Sequence, residues 1–315
     1  MVSAYVDMKA YLEPLILIVA VIIGALSGFV YSIQAGVVEY SIIAMLCCLF
    51  FNVSADHLLQ GIKNKKYLFT ACFVNFVLLP IIAFVVSSIF IDNSSMVFVG
   101  LIFYLVAPCT DWFLGFTKLA HGDVAVNLAL LPINLLLQIL LLPLYLFLFT
   151  NSNLHVEINA FFDMFFHWIL YPFLFAQCIR FFCVKIGKDF LEKSNIFVEQ
   201  GMFIALIILV FAIFNNNIQS LLSNLSILPM TLLVVVCFFL IVYFLGLCIS
   251  KELGFTHAEK ASLIVTASAR NTPLMLAISV GLFPSETVIQ LILILGMLIE
   301  FPHLILLSFL LRRKT

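Results

Sequence analysis

The sequence predicts an all-α, polytopic membrane protein with ten transmembrane helices, and three observations lead to this prediction. Hydrophobic residues make up 64% of the 315-residue chain, charged residues make up 10%, and the mean hydropathy is +1.23. Apolar runs of about 20 residues, the length that crosses a bilayer, recur along the whole chain. Two of these runs are each interrupted near the middle by a proline beside a charged residue. A water-soluble globule is therefore excluded.

The ten predicted spans are numbered in chain order. They cover residues 14–32, 36–54, 67–90, 97–119, 124–149, 157–181, 196–216, 227–250, 259–281 and 287–311. The first follows Asp7, Lys9 and Glu13 and lacks a small-residue cleavage site, so we interpret it as a retained helix and not as a signal peptide. Residues 1–315 are predicted to form a single transmembrane transporter domain.

Basic residues lie on one side of these spans. They are Lys9, Lys63, Lys65, Lys66, Lys118, Arg180, Lys185, Lys188, Lys193, Lys251, Lys260, Arg312, Arg313 and Lys314. Loops after the odd-numbered spans carry none. Because lysine and arginine gather in cytoplasmic loops, we expect both termini to be cytoplasmic and the membrane to be an inner or plasma membrane. Short basic clusters between apolar runs imply no nucleic-acid partner.

The positions of the two interruptions suggest an internal repeat. Spans one to five (about residues 14–149) and six to ten (about 157–311) would have opposite orientations, because five is an odd number. The interruption falls in the fourth span of each half. One broken helix in each half is typical of secondary transporters with inverted repeats.

The first interruption is the sequence APCTDW at residues 107–112. Pro108 removes a backbone donor, so carbonyls just before it lose their helical partners and could coordinate a cation. Asp111 follows within one turn. The half-helix after the break presents its positive end, which attracts an anion.

The second interruption is the sequence SARNTP at residues 268–273. It places Arg270, Asn271 and Thr272 before Pro273. A charge near the bilayer centre costs about 2.5 to 3.5 kcal/mol even on the permissive insertion scale, so both charged residues need an offsetting role. The alternative is that the prolines only kink the helices while Asp111 and Arg270 form a structural ion pair. The predicted solute site comprises Pro108, Cys109, Thr110, Asp111, Arg270, Asn271, Thr272 and Pro273.

Further polar residues lie inside apolar spans. Glu300 and His303 flank Pro302 in span ten. One interpretation of Glu300 is a proton carrier, and the alternative is a partner of Arg270 or a buried neutral acid. Asp111 and Glu300 are the candidate coupling residues.

Other polar positions are interpreted as structural. Asp163 and His167 are predicted to form a local pair. Asn75, Asn134 and Gln138 are predicted to make interhelical hydrogen bonds, with lining of the solute path as the alternative. Residues 118–123 form a predicted tight turn in which Asp123 caps the next helix.

The cysteine spacing and the types of polar residue do not favour a metalloprotein, a disulfide-linked protein or an enzyme. The eight cysteines show neither metal-ligand spacing nor a disulfide framework, so most are expected to be core residues. No nucleophile-and-base constellation is visible, so an enzyme is not expected, and no metal or other cofactor is implied. The expected partners are a small-molecule solute, a proton or sodium as coupling ion, and lipid.

The sequence resembles the bile-acid:sodium symporter superfamily, in particular its arsenite-efflux permeases. The motifs that carry this resemblance are residues 107–112, the turn at 118–123, Asn134, Gln138 and residues 268–274. The resemblance implies a panel domain of helices 1, 2, 6 and 7 and a core domain of helices 3–5 and 8–10. Spans four and nine would cross at unwound centres. It also implies that Cys109 is a thiolate ligand for trivalent arsenic, for which a soft sulfur is suitable.

The sequence departs from that family at three positions. Met275 stands where the arsenite permeases have an acidic residue. Thr266 and Arg270 stand where the sodium-coupled members have a glutamate and a glutamine. A fixed positive charge there disfavours sodium, which leaves proton coupling through Asp111 or Glu300.

Three functions are therefore compatible with the sequence. Arsenite or antimonite efflux by alternating access is the most specific. An organic-anion carrier of the same fold would use Arg270 as its carboxylate or sulfonate ligand. A transport-inactive membrane receptor is the third.

Overall fold

The computed structural model describes residues 2–52, 64–110, 112–149, 165–223 and 227–312. The described chain is helical apart from short connections, and we number its helices in chain order. They are α1 (Val2–Ser27), α2 (Ala35–Phe51), α3 (Lys65–Phe90), α4 (Met96–Val106), α5 (Phe113–Leu119), α6 (Val124–Phe149), α7 (Phe165–Ile186), α8 (Lys188–Ser223), α9 (Ile227–Glu252), α10 (His257–Ser268), α11 (Thr272–Leu282) and α12 (Thr287–Leu311).

Six of these helices, α3, α6, α7, α8, α9 and α12, are long and apolar enough to cross a membrane. The apolar parts of α1, α2, α4 and α11 are shorter. The all-helical class and the integral membrane location are thereby confirmed. Predicted span four is divided into α4 and α5, and predicted span nine into α10 and α11, so both interruptions were located correctly from the prolines.

Several helix ends differ from the predicted spans: span one was expected over 14–32, whereas α1 runs from Val2 to Ser27. Span seven was expected over 196–216, whereas α8 runs from Lys188 to Ser223. Its first turns carry charged residues and its last turns carry asparagines, so apolar content alone does not mark either end. Asn215, near the end of the predicted span, holds the connection between α1 and α2: its amide donates to Ser27 Oγ (2.8 Å) and accepts from the Ile33 N–H (2.9 Å).

A π-turn at Val74–Leu78 interrupts the regular α-helical pattern of α3. Pro80 follows it and has no N–H to offer to the carbonyl of Phe76. The Tyr145 hydroxyl of α6 donates to that carbonyl instead, at 2.7 Å. The proline thus changes the helix locally, and α6 satisfies the carbonyl that it leaves free.

The helices pack in two groups. The first group is α1, α2, α7 and α8, in which α8 packs against α1, α2 and α7. Gly24 and Gly28 allow α1 to approach the backbone of α8 closely, because a Cβ at either position would meet carbonyl atoms of Phe211 or Asn215. The second group contains α3–α6 and α9–α12, with α12 packed against α4, α5, α9, α10 and α11. The groups meet where α12 contacts α1 and α8 and where α11 contacts α2. The two interruptions lie within this second group.

The turn after α5 has the structure that its sequence predicts. Asp123 Oδ1 accepts the N–H groups of Ala125 (3.0 Å) and Val126 (3.3 Å), so the predicted helix cap is confirmed. His121 takes a positive φ of 57° within the turn. The Asp163–His167 prediction involves Asp163, which lies outside the described residues, while His167 packs edge-on against Tyr171.

Candidate functional site at the helix crossing

The two interruptions meet as a pair of extended segments. Pro108 faces Arg270 in an antiparallel bridge. The Cys109 N–H donates to the carbonyl of Ala269 (3.0 Å), and the Asn271 N–H donates to the carbonyl of Ala107 (2.9 Å). Because the flanking residues make these bonds, the proline at the centre needs no N–H. Each segment satisfies the backbone groups that the other one exposes.

Local chemistry explains why α11 begins where it does. Pro273 stands in the first turn of α11, where a missing N–H costs nothing. The Asn271 side chain caps the helix by accepting the Leu274 N–H (3.3 Å), and its amide donates to Thr110 Oγ1 (2.9 Å). One asparagine therefore starts α11 and binds the first interruption.

The Arg270 guanidinium is fully buried at the ends of two half-helices. Its Nη1 donates to the carbonyl of Leu105 in α4 at 2.8 Å. Its other nitrogens donate to the carbonyls of Ala267 and Ser268, both in α10, the latter at 3.4 Å. The charged group also lies 5.5 Å from the centre of the Phe238 ring.

Glu300 of α12 is also fully buried and accepts three hydrogen bonds. Its Oε1 accepts the main-chain N–H of Arg270 (2.9 Å) and the indole N–H of Trp112 (2.8 Å). Its Oε2 accepts the Tyr104 hydroxyl at 3.1 Å, which also donates to the carbonyl of Gly296. Glu300 thereby connects α12 to α4, to the start of α5 and to the second interruption.

Cys109 is completely buried in the first extended segment. Its N–H is held by Ala269, and its carbonyl accepts the amide of Asn134 in α6 at 3.4 Å. Both backbone groups are therefore fixed, which orients the thiol relative to the crossing.

Several buried polar atoms near the crossing have no hydrogen-bond partner in the described structure. They are the hydroxyls of Thr266, Ser268 and Thr272, the carbonyl oxygen of Asn134, and the amide groups of Gln138 and Asn75. Buried polar groups are almost always satisfied in folded proteins, by protein or by ordered molecules. The π-turn that carries Asn75 packs against α6 and α10, the helices that carry Gln138 and Thr266.

The structure brings most of the predicted site residues together. Pro108, Cys109, Thr110, Arg270, Asn271, Thr272 and Pro273 are all buried at the crossing. Asp111 lies outside the described residues, so its predicted roles stay predictions. Sequence reasoning missed Tyr104 and Trp112, the side chains that bind Glu300. The signal was present for Trp112, because an indole N–H beside an intramembrane break needs an acceptor.

Broken helices that meet at mid-length within a bundle of membrane-spanning helices define a polytopic membrane transporter. Comparison with known proteins specifies the class further. The chain belongs to the sodium bile acid symporter family, whose model matches residues 39–224. It is also similar to the arsenical-resistance protein Acr3 of Corynebacterium glutamicum, with 23% identity over 306 residues that cover 90% of this chain and 81% of the relative. The resemblance predicted from the motifs is confirmed.

Proposed function

We propose that this protein is a secondary active transporter that exports arsenite or antimonite by alternating access, coupled to protons. The observation that carries the proposal is the antiparallel pairing of the two interruptions around the buried Cys109. The similarity to a protein named for arsenical resistance supports the choice of solute.

The chemistry at Cys109 suits a trivalent arsenic species. A thiolate is a soft ligand, and soft ligands favour soft, thiophilic centres. The backbone of Cys109 is fixed from both sides, by Ala269 and by Asn134. A ligand atom held in this way needs little reorganisation when the solute arrives.

The unpartnered polar groups around the crossing support a small hydroxylated solute. Hydroxyls and amides such as those of Thr266, Thr272 and Gln138 can both donate and accept. Arsenite in its neutral form carries three hydroxyl groups; when the Cys109 thiol binds the arsenic, one of them leaves with the thiol proton as water, and the other two have the same dual capacity. A solute of this kind would satisfy the polar atoms that protein groups leave unpaired.

The bonding of Arg270 favours a neutral solute over an organic anion. An organic-anion carrier would need the guanidinium as a ligand for a carboxylate or sulfonate. Here the guanidinium is fully buried and donates to carbonyls of α4 and α10. An anion would have to displace these bonds before it could bind.

We further propose that α1, α2, α7 and α8 form a panel against which the second group of helices moves, and that the two halves of the chain are inverted repeats. The extensive packing of α8 against α1, α2 and α7 supports this division. Coupling is assigned to Glu300, with Asp111 as the other candidate acid. Protonating Glu300 on Oε2 would make the carboxyl a donor to the Tyr104 hydroxyl, and it would remove the negative charge that strengthens the hydrogen bonds from Trp112 and Arg270.

The test is arsenite resistance in cells that lack their own efflux system. The Cys109→Ser variant should lose resistance, because a serine hydroxyl is a harder and weaker ligand for trivalent arsenic than a thiolate. Cys183→Ser is the matched control, since Cys183 is also buried but lies in α7, and it should retain resistance.

Counterflow of arsenite in proteoliposomes then separates transport from binding alone. A receptor that keeps the fold would bind arsenite but show no counterflow. Full resistance in the Cys109→Ser variant at normal expression would refute the role of the thiol, and the proposed solute would lose its main support.

A further inference from the structure

The ends of two half-helices meet at the crossing, and both are negative ends. The last carbonyls of any α-helix lack intrahelical partners and carry the negative pole of the helix dipole. Helix α4 ends at Val106 and α10 ends at Ser268, directly before the paired segments. Their terminal carbonyls therefore create a region of negative potential inside the protein.

The Arg270 guanidinium fills that region. It donates hydrogen bonds to carbonyl oxygens of both helices: Leu105 of α4, and Ala267 and Ser268 of α10. Main-chain carbonyls from separate segments are also the ligands that proteins use for small hard cations. The Glu300 carboxylate accepts a hydrogen bond from the main-chain N–H of Arg270. The guanidinium of Arg270 instead donates its hydrogen bonds to the helix-end carbonyls.

We propose that the guanidinium of Arg270 is a built-in cation, which permanently occupies a site that would otherwise take an exchangeable monovalent cation. Its removal should leave an open cation site lined by the carbonyls of Leu105, Ala267 and Ser268. That site should accept free guanidinium best, because guanidinium has the same planar set of donors. Of the tests below, only the measurement of arsenite counterflow rests on the proposed transport function.

A consequence for the intact protein follows from this assignment. A cation that is covalently attached cannot be exchanged between the two sides of the membrane. Sodium therefore has no site at these carbonyls in the native protein, and exchange of sodium for potassium or choline should leave transport unchanged.

The first test measures the thermal unfolding midpoint of the purified full-length protein in detergent. Arg270→Ala removes the guanidinium and opens its space, whereas Arg270→Met removes the charge but keeps much of the volume. Two clusters of unpaired carbonyls should lower the midpoint of both variants by roughly 5 °C or more. Low-millimolar guanidinium chloride should raise the midpoint of Arg270→Ala by several degrees, and choline chloride should not.

Wild type and Arg270→Met are the controls for this rescue, because their site is already filled. Neither should gain stability from guanidinium. Either of two results would refute the proposal of a built-in cation. One is an Arg270→Ala midpoint that rises no more in guanidinium than in choline, and the other is an Arg270→Met midpoint equal to that of wild type. A response of equal size in wild type would also refute it, since the effect would then lie elsewhere.

If the Arg270→Ala protein does not fold well enough to be purified, a further variant tests the same proposal. Arg270→Lys keeps a positive charge with fewer donors, so it should melt between wild type and Arg270→Met. An Arg270→Met midpoint equal to or above that of Arg270→Lys would refute the proposal, because charge would then contribute nothing.

Counterflow of arsenite supplies the transport measurement. Arg270→Ala should lose counterflow and regain part of it in guanidinium, while a purely structural loss would not be restored. If wild type moves no arsenite, the proposed solute fails while the stability measurements still decide the cation site. The two failures are therefore distinguishable.

Discussion

Glu300 is the residue that connects most of the crossing. It binds Tyr104 of α4, Trp112 before α5 and the main chain of Arg270. Hydrogen bonds to a charged acceptor are roughly twice as strong as neutral ones. A change in its protonation would therefore alter three elements at the same time, which is the property that a coupling residue needs.

The Glu300→Gln variant tests this role. The glutamine carbonyl can accept from Trp112 and Arg270, and its amide can donate to the Tyr104 hydroxyl, so the fold should be kept. Because glutamine cannot exchange a proton, accumulation of arsenite driven by a pH gradient should be abolished while counterflow without a gradient persists. Both are measured in proteoliposomes.

Asp111→Asn is the companion variant, since Asp111 is the other candidate acid. Loss of gradient-driven transport in Asp111→Asn, with full gradient-driven transport in Glu300→Gln, would move the coupling role from α12 to the first interruption.

At this site the sequence revealed the unusual residues but not their partners. Arg270 and Glu300 are conspicuous because each is a charge in an apolar run. Tyr104 and Trp112 lie 196 and 188 residues from Glu300 along the chain, and nothing local to either residue identifies that acceptor. The sequence pattern allows Glu300 to be a partner of the Arg270 charge, but the hydrogen bond between the two residues comes from the main-chain N–H of Arg270. Backbone contacts of this kind leave no mark in the sequence.

At the scale of helices, α4 and α12 approach closely at Gly296. An added Cβ there would lie 2.6 to 2.7 Å from three atoms of the Tyr104 ring. Tyr104 in turn holds Glu300 and the Gly296 carbonyl. The glycine thus allows the helix contact that positions Glu300, the proposed coupling acid.

We predict that Gly296→Ala destabilises the protein by about 1 to 3 kcal/mol, because the ring must move out of a packed interior. Gly115→Ala is the control: nothing lies within 4 Å of its added Cβ. It should be neutral or stabilising by up to about 1 kcal/mol, because alanine favours the helix. Chemical denaturation in mixed micelles compares the two, and equal stabilities would show that the Tyr104 ring yields without cost.

The helices were more predictable than their irregularities. Hydropathy located the apolar segments, and the prolines located the breaks at residues 107–112 and 268–273. The π-turn in α3 could not be foreseen, because it depends on the distant Tyr145 hydroxyl that replaces the lost donor of Pro80. Helix α8 exceeds its apolar run because polar residues continue a helix wherever water or other loops satisfy them.

Across the whole molecule, hydrogen bonds gather several of the basic connections at one end. The Asn64 amide donates to Glu259 at 2.6 Å, which brings the start of α3 to the start of α10. The Arg312 side chain donates to the carbonyl of Leu119 (3.0 Å), which brings the ends of α5 and α12 together. The terminal turns of α3, α5, α9 and α10 at this end carry Lys66, Lys118, Lys251 and Lys260.

The connections between α3 and α4 and between α11 and α12 carry acidic residues and no lysine or arginine. In the first of them, the hydrogen bond from the Ser94 N–H lowers the pKa of Asp92 below its ordinary value, so Asp92 stays ionised at neutral pH. Charge is therefore distributed asymmetrically along the bundle. Since positive loops are retained in the cytoplasm, we predict that the basic end is cytoplasmic.

Cysteine labelling in intact cells tests this orientation, in a background whose eight native cysteines are replaced by alanine. Ser285→Cys, an exposed position between α11 and α12, should react with a membrane-impermeant maleimide from outside. Glu252→Cys, an exposed position at the end of α9, should react only after the cells are permeabilised. The reverse pattern would place the basic end outside and would refute the predicted orientation.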